Sequence, residues 1–85
     1  MDKYIKILYQ LLDDFRGKIP EDKLSSVQEY IEHNENGVAL DLFVDLIIEF
    51  NCIVESSSYE SLVLLGNQMH IDVESILNKF GKPDI

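Results

Sequence analysis

Apolar positions recur along this chain at the period of a helix and nowhere alternate as in a strand. Tyr4, Leu8, Leu11, Leu12 and Phe15 follow one another at offsets of 4, 7, 8 and 11, one face of a helix running from Asp2 to Arg16. Ile5 and Tyr9 widen that face, Lys3, Lys6, Asp13 and Asp14 take the polar side, and Gly17 is the natural C′ stop. Pro20 opens a second helix in the first turn, where its missing N–H costs nothing, and Glu21 and Asp22 meet the positive end of the dipole. Its apolar stripe is thin: Leu24, Val27 and Ile31, with Tyr30 at the margin. Such a helix belongs on the outside of a bundle. It is expected to end near His33, before a turn over Asn34-Glu35-Asn36-Gly37.

The third segment organises the rest. In Val38–Phe50 ten of thirteen residues are apolar, and the other three are Asp41, Asp45 and Glu49. At about 100° per residue, a spacing of four displaces each acid by only about 40° from the last. The pattern therefore predicts a central helix over residues ~37–51, greasy nearly all round, with one narrow negative stripe. Other helices are expected to cover most of it, leaving the stripe to water or a partner.

Ile53 and Val54 read as a short extended connection. The polar loop Glu55-Ser56-Ser57-Ser58 follows, and Ser57-Ser58-Tyr59-Glu60 has the capping-box form for a fourth helix with Leu62, Leu65, Gly66 and Met69 on its buried line. Gly66 allows close approach by a neighbouring helix. Asp72 is the N-cap of a short fifth helix with Val73, Ile76, Leu77 and Phe80 inward, stopped by Gly81 and Pro83. The fold class is all-α: a single domain over residues 1–85, a small five-helix bundle around the hydrophobic helix.

Composition narrows the function. Eighty-five residues that are 46% hydrophobic can build one core. No basic-flanked leader and no apolar run of membrane-spanning length occurs, and the single Cys52 has no internal disulfide partner, so a reducing cytoplasm is the expected location. Charge says more. Of sixteen acids and seven bases, residues 21–60 hold ten acids and only Lys23, so the whole net −9 sits in the middle of the chain. Direct nucleic-acid binding and anionic membranes are disfavoured, because both need clustered Lys and Arg. A basic protein partner is the natural complement.

Catalytic chemistry finds little to stand on. His33, His70 and Cys52 are isolated, with no metal-ligand spacing, no calcium loop and no phosphate-binding glycine loop, so neither cofactor nor metal is expected and the histidines read as surface or helix-end residues. Cys52 reads as a small buried hydrophobe. Glu60-Ser61-Leu62 approaches the phosphopantetheine motif of acyl carrier proteins, but Glu stands where Asp is needed and Ser61 falls late, inside a helix. No nucleophile–base pair is visible, and the chain is read as a non-enzyme.

The acid stripe is the feature left over. A solvated helix face is its bland explanation. Yet Asp41/Asp45 and Asp45/Glu49 are like-charge i,i+4 pairs, each costing roughly 0.2–0.5 kcal/mol, and no Lys or Arg occurs between Lys23 and Lys79. Retention of such a field is easier to understand if it steers a positive partner.

Three stretches carry a resemblance: Leu11-Leu12-x-x-Phe15-x-Gly17-x-x-Pro20, then Tyr30-Ile31-Glu32-His33-x-Glu35-x-Gly37-x-Ala39-Leu40-Asp41, then Leu65-Gly66-x-x-Met69. Together they resemble the MafI family of immunity proteins, small cytoplasmic helical antidotes related to the CdiI-type immunity proteins of contact-dependent growth inhibition. The resemblance spans roughly residues 10–77, and Asn34 stands where family members tend to have Gly. It implies a protein that neutralises the C-terminal toxin domain of a CdiA- or MafB-type partner, often a ribonuclease, EndoU-like ones among them. A nuclease holds an anionic substrate in a basic cleft, which an inhibitor can meet with carboxylates. Asp41, Asp45 and Glu49, helped by Glu32 and Glu35, are the expected contacts, either plugging the active site or docking beside it. The competing reading is a small acidic helical adaptor or regulatory protein with no toxin neighbour. Oligomeric state is open, with Tyr4, Tyr9, Ile47 and Ile48 as a candidate hydrophobic patch.

Overall fold

The computed structural model describes residues 2–80 together with 82 and 83, with side chains described for residues 2–79. Five helices follow in order: α1 (Lys3–Asp14), α2 (Glu21–Glu32), α3 (Asn36–Glu49), α4 (Ser56–Met69) and α5 (Val73–Phe80). Two residues each of β1 (Ile53–Val54) and β2 (Lys82–Pro83) form the one strand pair among the described residues. The architecture is an all-α bundle, as the periodicity predicts.

Helix ends depart from the sequence reading in instructive ways. Asp2 is the N-cap of α1, its carboxylate accepting the Tyr4 N–H at 2.7 Å. The helix ends at Asp14 rather than Arg16. Phe15 is its C-cap, and Gly17 turns the chain one position later than C′, at φ +86°. The Lys18 and Ile19 N–H groups then both reach the Phe15 carbonyl, at 3.0 and 3.1 Å. Pro20 is the N-cap of α2, not its first helical residue, and its carbonyl accepts from Lys23 and Leu24 at 3.0 and 3.1 Å.

The expected four-residue turn before α3 is tighter than the polar run implied. Asn34 alone adopts the left-handed conformation (φ +59°), with Glu35 N–H bonding Tyr30 C=O at 2.8 Å and Asn34 N–H bonding Ile31 C=O at 3.1 Å. That is a Schellman closure, and it frees Asn36 and Gly37 to begin α3. The same closure ends α3 at Asn51 (φ +57°), where Cys52 N–H meets Ile47 C=O at 3.0 Å.

The capping box predicted for α4 does not form. The helix starts two residues earlier than a Ser57 N-cap implies, at Ser56, and Glu55 is an N-cap without a side-chain cap bond. Ser58 is instead buried within the first turn, its hydroxyl 3.5 Å from the Asp14 carboxylate at the end of α1. Asp72 does act as expected, accepting the Ser75 N–H at 3.2 Å. Gly66 is a close-approach glycine: a Cβ there would lie 2.6 Å from both the Ile71 carbonyl oxygen and the Val73 side chain at the start of α5. β2 returns to pair in parallel with β1, Ile53 opposite Lys82 and Val54 opposite Pro83. The inward placement expected for Phe80, and the stop expected at Gly81, lie outside the described residues.

One apolar cluster holds the bundle together. It joins Leu8, Leu11, Leu12 and Phe15 of the first segment to the thin α2 stripe, the inner side of α3, Leu62 and Leu65 of α4, and Val73 and Leu77 of α5. Phe15 and Phe43 meet edge to face at 5.4 Å between ring centroids, the favoured geometry for an aromatic pair. α3 packs most extensively on α2 and also touches α4 and α5. Most of its circumference is covered, as the pattern predicts, and one strip, with Val38, Asp41, Asp45 and Glu49, remains exposed. The patch suggested by Tyr4, Tyr9, Ile47 and Ile48 does not exist as such: Ile47 is fully buried in the core and the other three are half-buried.

Candidate partner-binding surface

The five acids singled out by the sequence are all exposed. Asp41, Asp45 and Glu49 are arrayed along the outward side of α3, about 6 Å apart in axial rise. Burial of Ala39, Leu40, Phe43, Val44, Leu46 and Ile47 fixes that orientation, since the inner residues leave only one arc for the rest. By helical geometry the outward arc is about 120° wide, bounded by half-buried Ile48 on one edge and Leu42 on the other.

Glu32 and Glu35 stand at the junction where α2 gives way to α3. Glu32 is the last residue of α2 and accepts from the Gln28 amide at 3.2 Å. Glu35 is the N-cap of α3 and makes no side-chain cap bond, which leaves its carboxylate facing water. The fold thus brings the five acids onto one hairpin, α2–α3, as an uncompensated field. The ion pairs found among the described residues lie elsewhere: Arg16 with Asp13 (3.0 Å) and Glu21, and Lys18 with Glu55 (3.9 Å). Hydrogen bonds from Asp13 and Glu21 hold the Arg16 guanidinium pKa above its ordinary value. Arg16 and Lys18 are therefore engaged at the α1–α2 connection, with acids outside the α3 row.

Two apolar side chains accompany the acids. Val38 is 47% exposed and Tyr30 37%, each within one turn of the α2–α3 junction. Val38 falls in the middle of the outward arc of α3, between the bearings of Asp45 and Glu49. The sequence contained this signal: Val38 precedes Asp45 by seven residues and Glu49 by eleven, both near-integral numbers of turns. An apolar residue on the outward arc does not stand out in a segment where ten of thirteen residues are apolar. Beneath the same junction the Asn36 side-chain oxygen is buried with no hydrogen-bond partner.

The other candidates settle into structural places. Cys52 is buried, its thiol 3.8 Å from the Lys18 carbonyl, and desolvation pushes its pKa up against a smaller opposing pull from the Lys18 charge. His33 closes α2, its Nδ1 2.7 Å from the Glu29 carbonyl, and His70 takes the left-handed position (φ +59°) at the end of α4. Among the described residues no group of His, Cys, Asp and Glu is arranged to hold a metal ion, and no helix is long and apolar enough to cross a membrane. An open depression of about 480 Å³ between Lys18, Phe50, Ile53 and Glu55 mixes both charges with apolar side chains and shows no convergent chemistry. Compared with protein-family models, with curated proteins and with solved structures, the chain matches none.

Proposed function

We propose that this chain is a cytoplasmic immunity protein, an antitoxin that binds the C-terminal toxin domain of a contact-dependent or polymorphic toxin and neutralises it without catalysis of its own. The observation that carries this reading is the row Asp41, Asp45 and Glu49, exposed along one helix and remote in sequence from any cation. A row of three carboxylates on a convex helix suits insertion into, or docking beside, a basic cleft. A nuclease has such a cleft because it must hold phosphates. The resemblance to MafI-type immunity proteins points to a ribonuclease toxin, EndoU-like ones being among those such families oppose, and Glu32 and Glu35 extend the contact at the α2–α3 junction.

Co-expression with the C-terminal domain of the product of the reading frame immediately upstream tests the reading. Growth should be rescued, and the purified pair should bind at nanomolar Kd or tighter, with association slowing as salt rises. Reversing Asp41, Asp45 and Glu49 together should abolish rescue. Failure of the unaltered protein to rescue or to bind would overturn the antitoxin reading and leave the acidic adaptor in its place.

A further inference from the structure

Four large apolar side chains stand exposed among the described residues: Tyr30, Val38, Ile53 and Leu64. Two of them flank one junction, Tyr30 in the last turn of α2 and Val38 in the first turn of α3. Ile53 and Leu64 lie apart, the former beside Lys18 and Glu55, where the charges cancel. Isolated exposed apolar residues need no explanation. Here, however, Tyr30 and Val38 bracket Glu32, Glu35 and the buried, unpartnered Asn36 amide oxygen along the chain, and Val38 shares the outward arc of α3 with the acid row. Acids and an exposed apolar pair together describe an unpartnered helix face with a sign. A second copy docked face to face would bring the same negative field against itself, so charge complementarity favours a cationic occupant.

We infer that the α2–α3 corner is the energetic centre of a docking surface for a cationic, amphipathic helical segment of a partner protein, with Tyr30 and Val38 as the anchors and the acid row as the guide. Cations spaced four residues apart on such a segment repeat every ~6 Å, the axial spacing of Asp41, Asp45 and Glu49. Apolar residues between them would cover Val38. The division of labour follows from physics: exposed charges govern encounter and salt dependence, whereas desolvated apolar or aromatic anchors govern residence. This inference rests on the partner-binding reading of the same surface, but not on the partner being a toxin.

The test uses the full chain, isotopically labelled, and a synthetic helical peptide carrying Arg at i, i+4 and i+8 with Leu at the intervening core positions. At moderate salt, amide shift changes should concentrate on residues 29–49 and fade towards the first turn of α2, although Glu21 and Asp22 lie there. Tyr30→Ala and Val38→Ser, both at exposed positions, should each weaken the peptide roughly tenfold with unchanged salt dependence. Asp45→Asn should mainly flatten the salt dependence. Shift changes spread evenly over all the acids, or wild-type affinity in both anchor variants, would overturn the inference. Peptide binding without rescue of growth would sink the antitoxin reading and leave this one standing; rescue without localised peptide binding would do the reverse.

Discussion

Gly66 shows how one missing methyl group can decide a corner. Alanine is worth about 1 kcal/mol over glycine inside a helix, and on propensity alone Gly66→Ala should stabilise α4. The added Cβ would meet the Ile71 carbonyl oxygen at 2.6 Å, and backbone cannot step aside cheaply. The clash should win, lowering stability by about 1–3 kcal/mol, visible as a fall in urea midpoint at unchanged m-value. Cys52 makes a second case. Its raised pKa means that the folded state prefers the neutral thiol. The stability linked to that preference is fully present below the unfolded thiol pKa and is lost as pH rises through the folded one. Wild type should therefore lose Tm across the alkaline range more steeply than Cys52→Ala, and native Cys52 should alkylate slowly at neutral pH. Equal alkaline slopes in the two proteins would contradict this account.

At the scale of an element, α3 asks for two things at once: a buried inner side and an outward row that repels itself. Asp45 sits in both like-charge pairs, so Asp45→Lys converts two repulsions into two attractions. Each conversion should be worth a few tenths of a kcal/mol, so the variant should melt higher, by up to about 1 kcal/mol in all. It should also bind a basic partner more weakly, which would mark the row as kept for binding at the expense of stability. Helix ends make a further test. Asn34 and Asn51 occupy left-handed C′ positions that glycine fills without strain, so Asn51→Gly should be neutral or stabilise by up to about 1 kcal/mol, whereas Asn51→Val should destabilise. These positions also explain what the sequence hid. The five helices and the inner residues of α3 were legible because apolar spacing sets burial directly. Helix boundaries at Ser56 and Asn36 were not: the polar run Asn34–Gly37 offers several turn residues, of which only Asn34 takes the left-handed position, and the burial of Ser58 against Asp14 is a tertiary event. The β1–β2 pairing joins residues nearly thirty apart and leaves no periodic trace in either two-residue strand.

For the whole molecule the governing quantity is a net charge of −9, of which the α2–α3 hairpin, with eight acids against Lys23, holds −7. Arg16 pairs with Glu21 at the start of α2 and Lys18 with Glu55, while the α2–α3 hairpin carries in its own sequence a single base, Lys23, against eight acids. Added salt should then act in opposite directions on folding and on binding. The carboxylates of the α3 row lie about 6 Å apart axially, and the Debye length falls from about 30 Å at 0.01 M salt to about 8 Å at 0.15 M. Across that range neighbours along the row stay coupled, but the more distant members of the acidic set decouple. The free protein should gain stability, with a urea midpoint that rises with sodium chloride and rises less in Asp45→Asn. Association with a basic partner should slow over the same interval, because the steering field is screened, while dissociation set by Tyr30 and Val38 changes little. A salt-independent association rate would mean that the charge on this hairpin does not guide the encounter. A midpoint that falls with salt would mean that attractions, not repulsions, dominate the electrostatics of the fold.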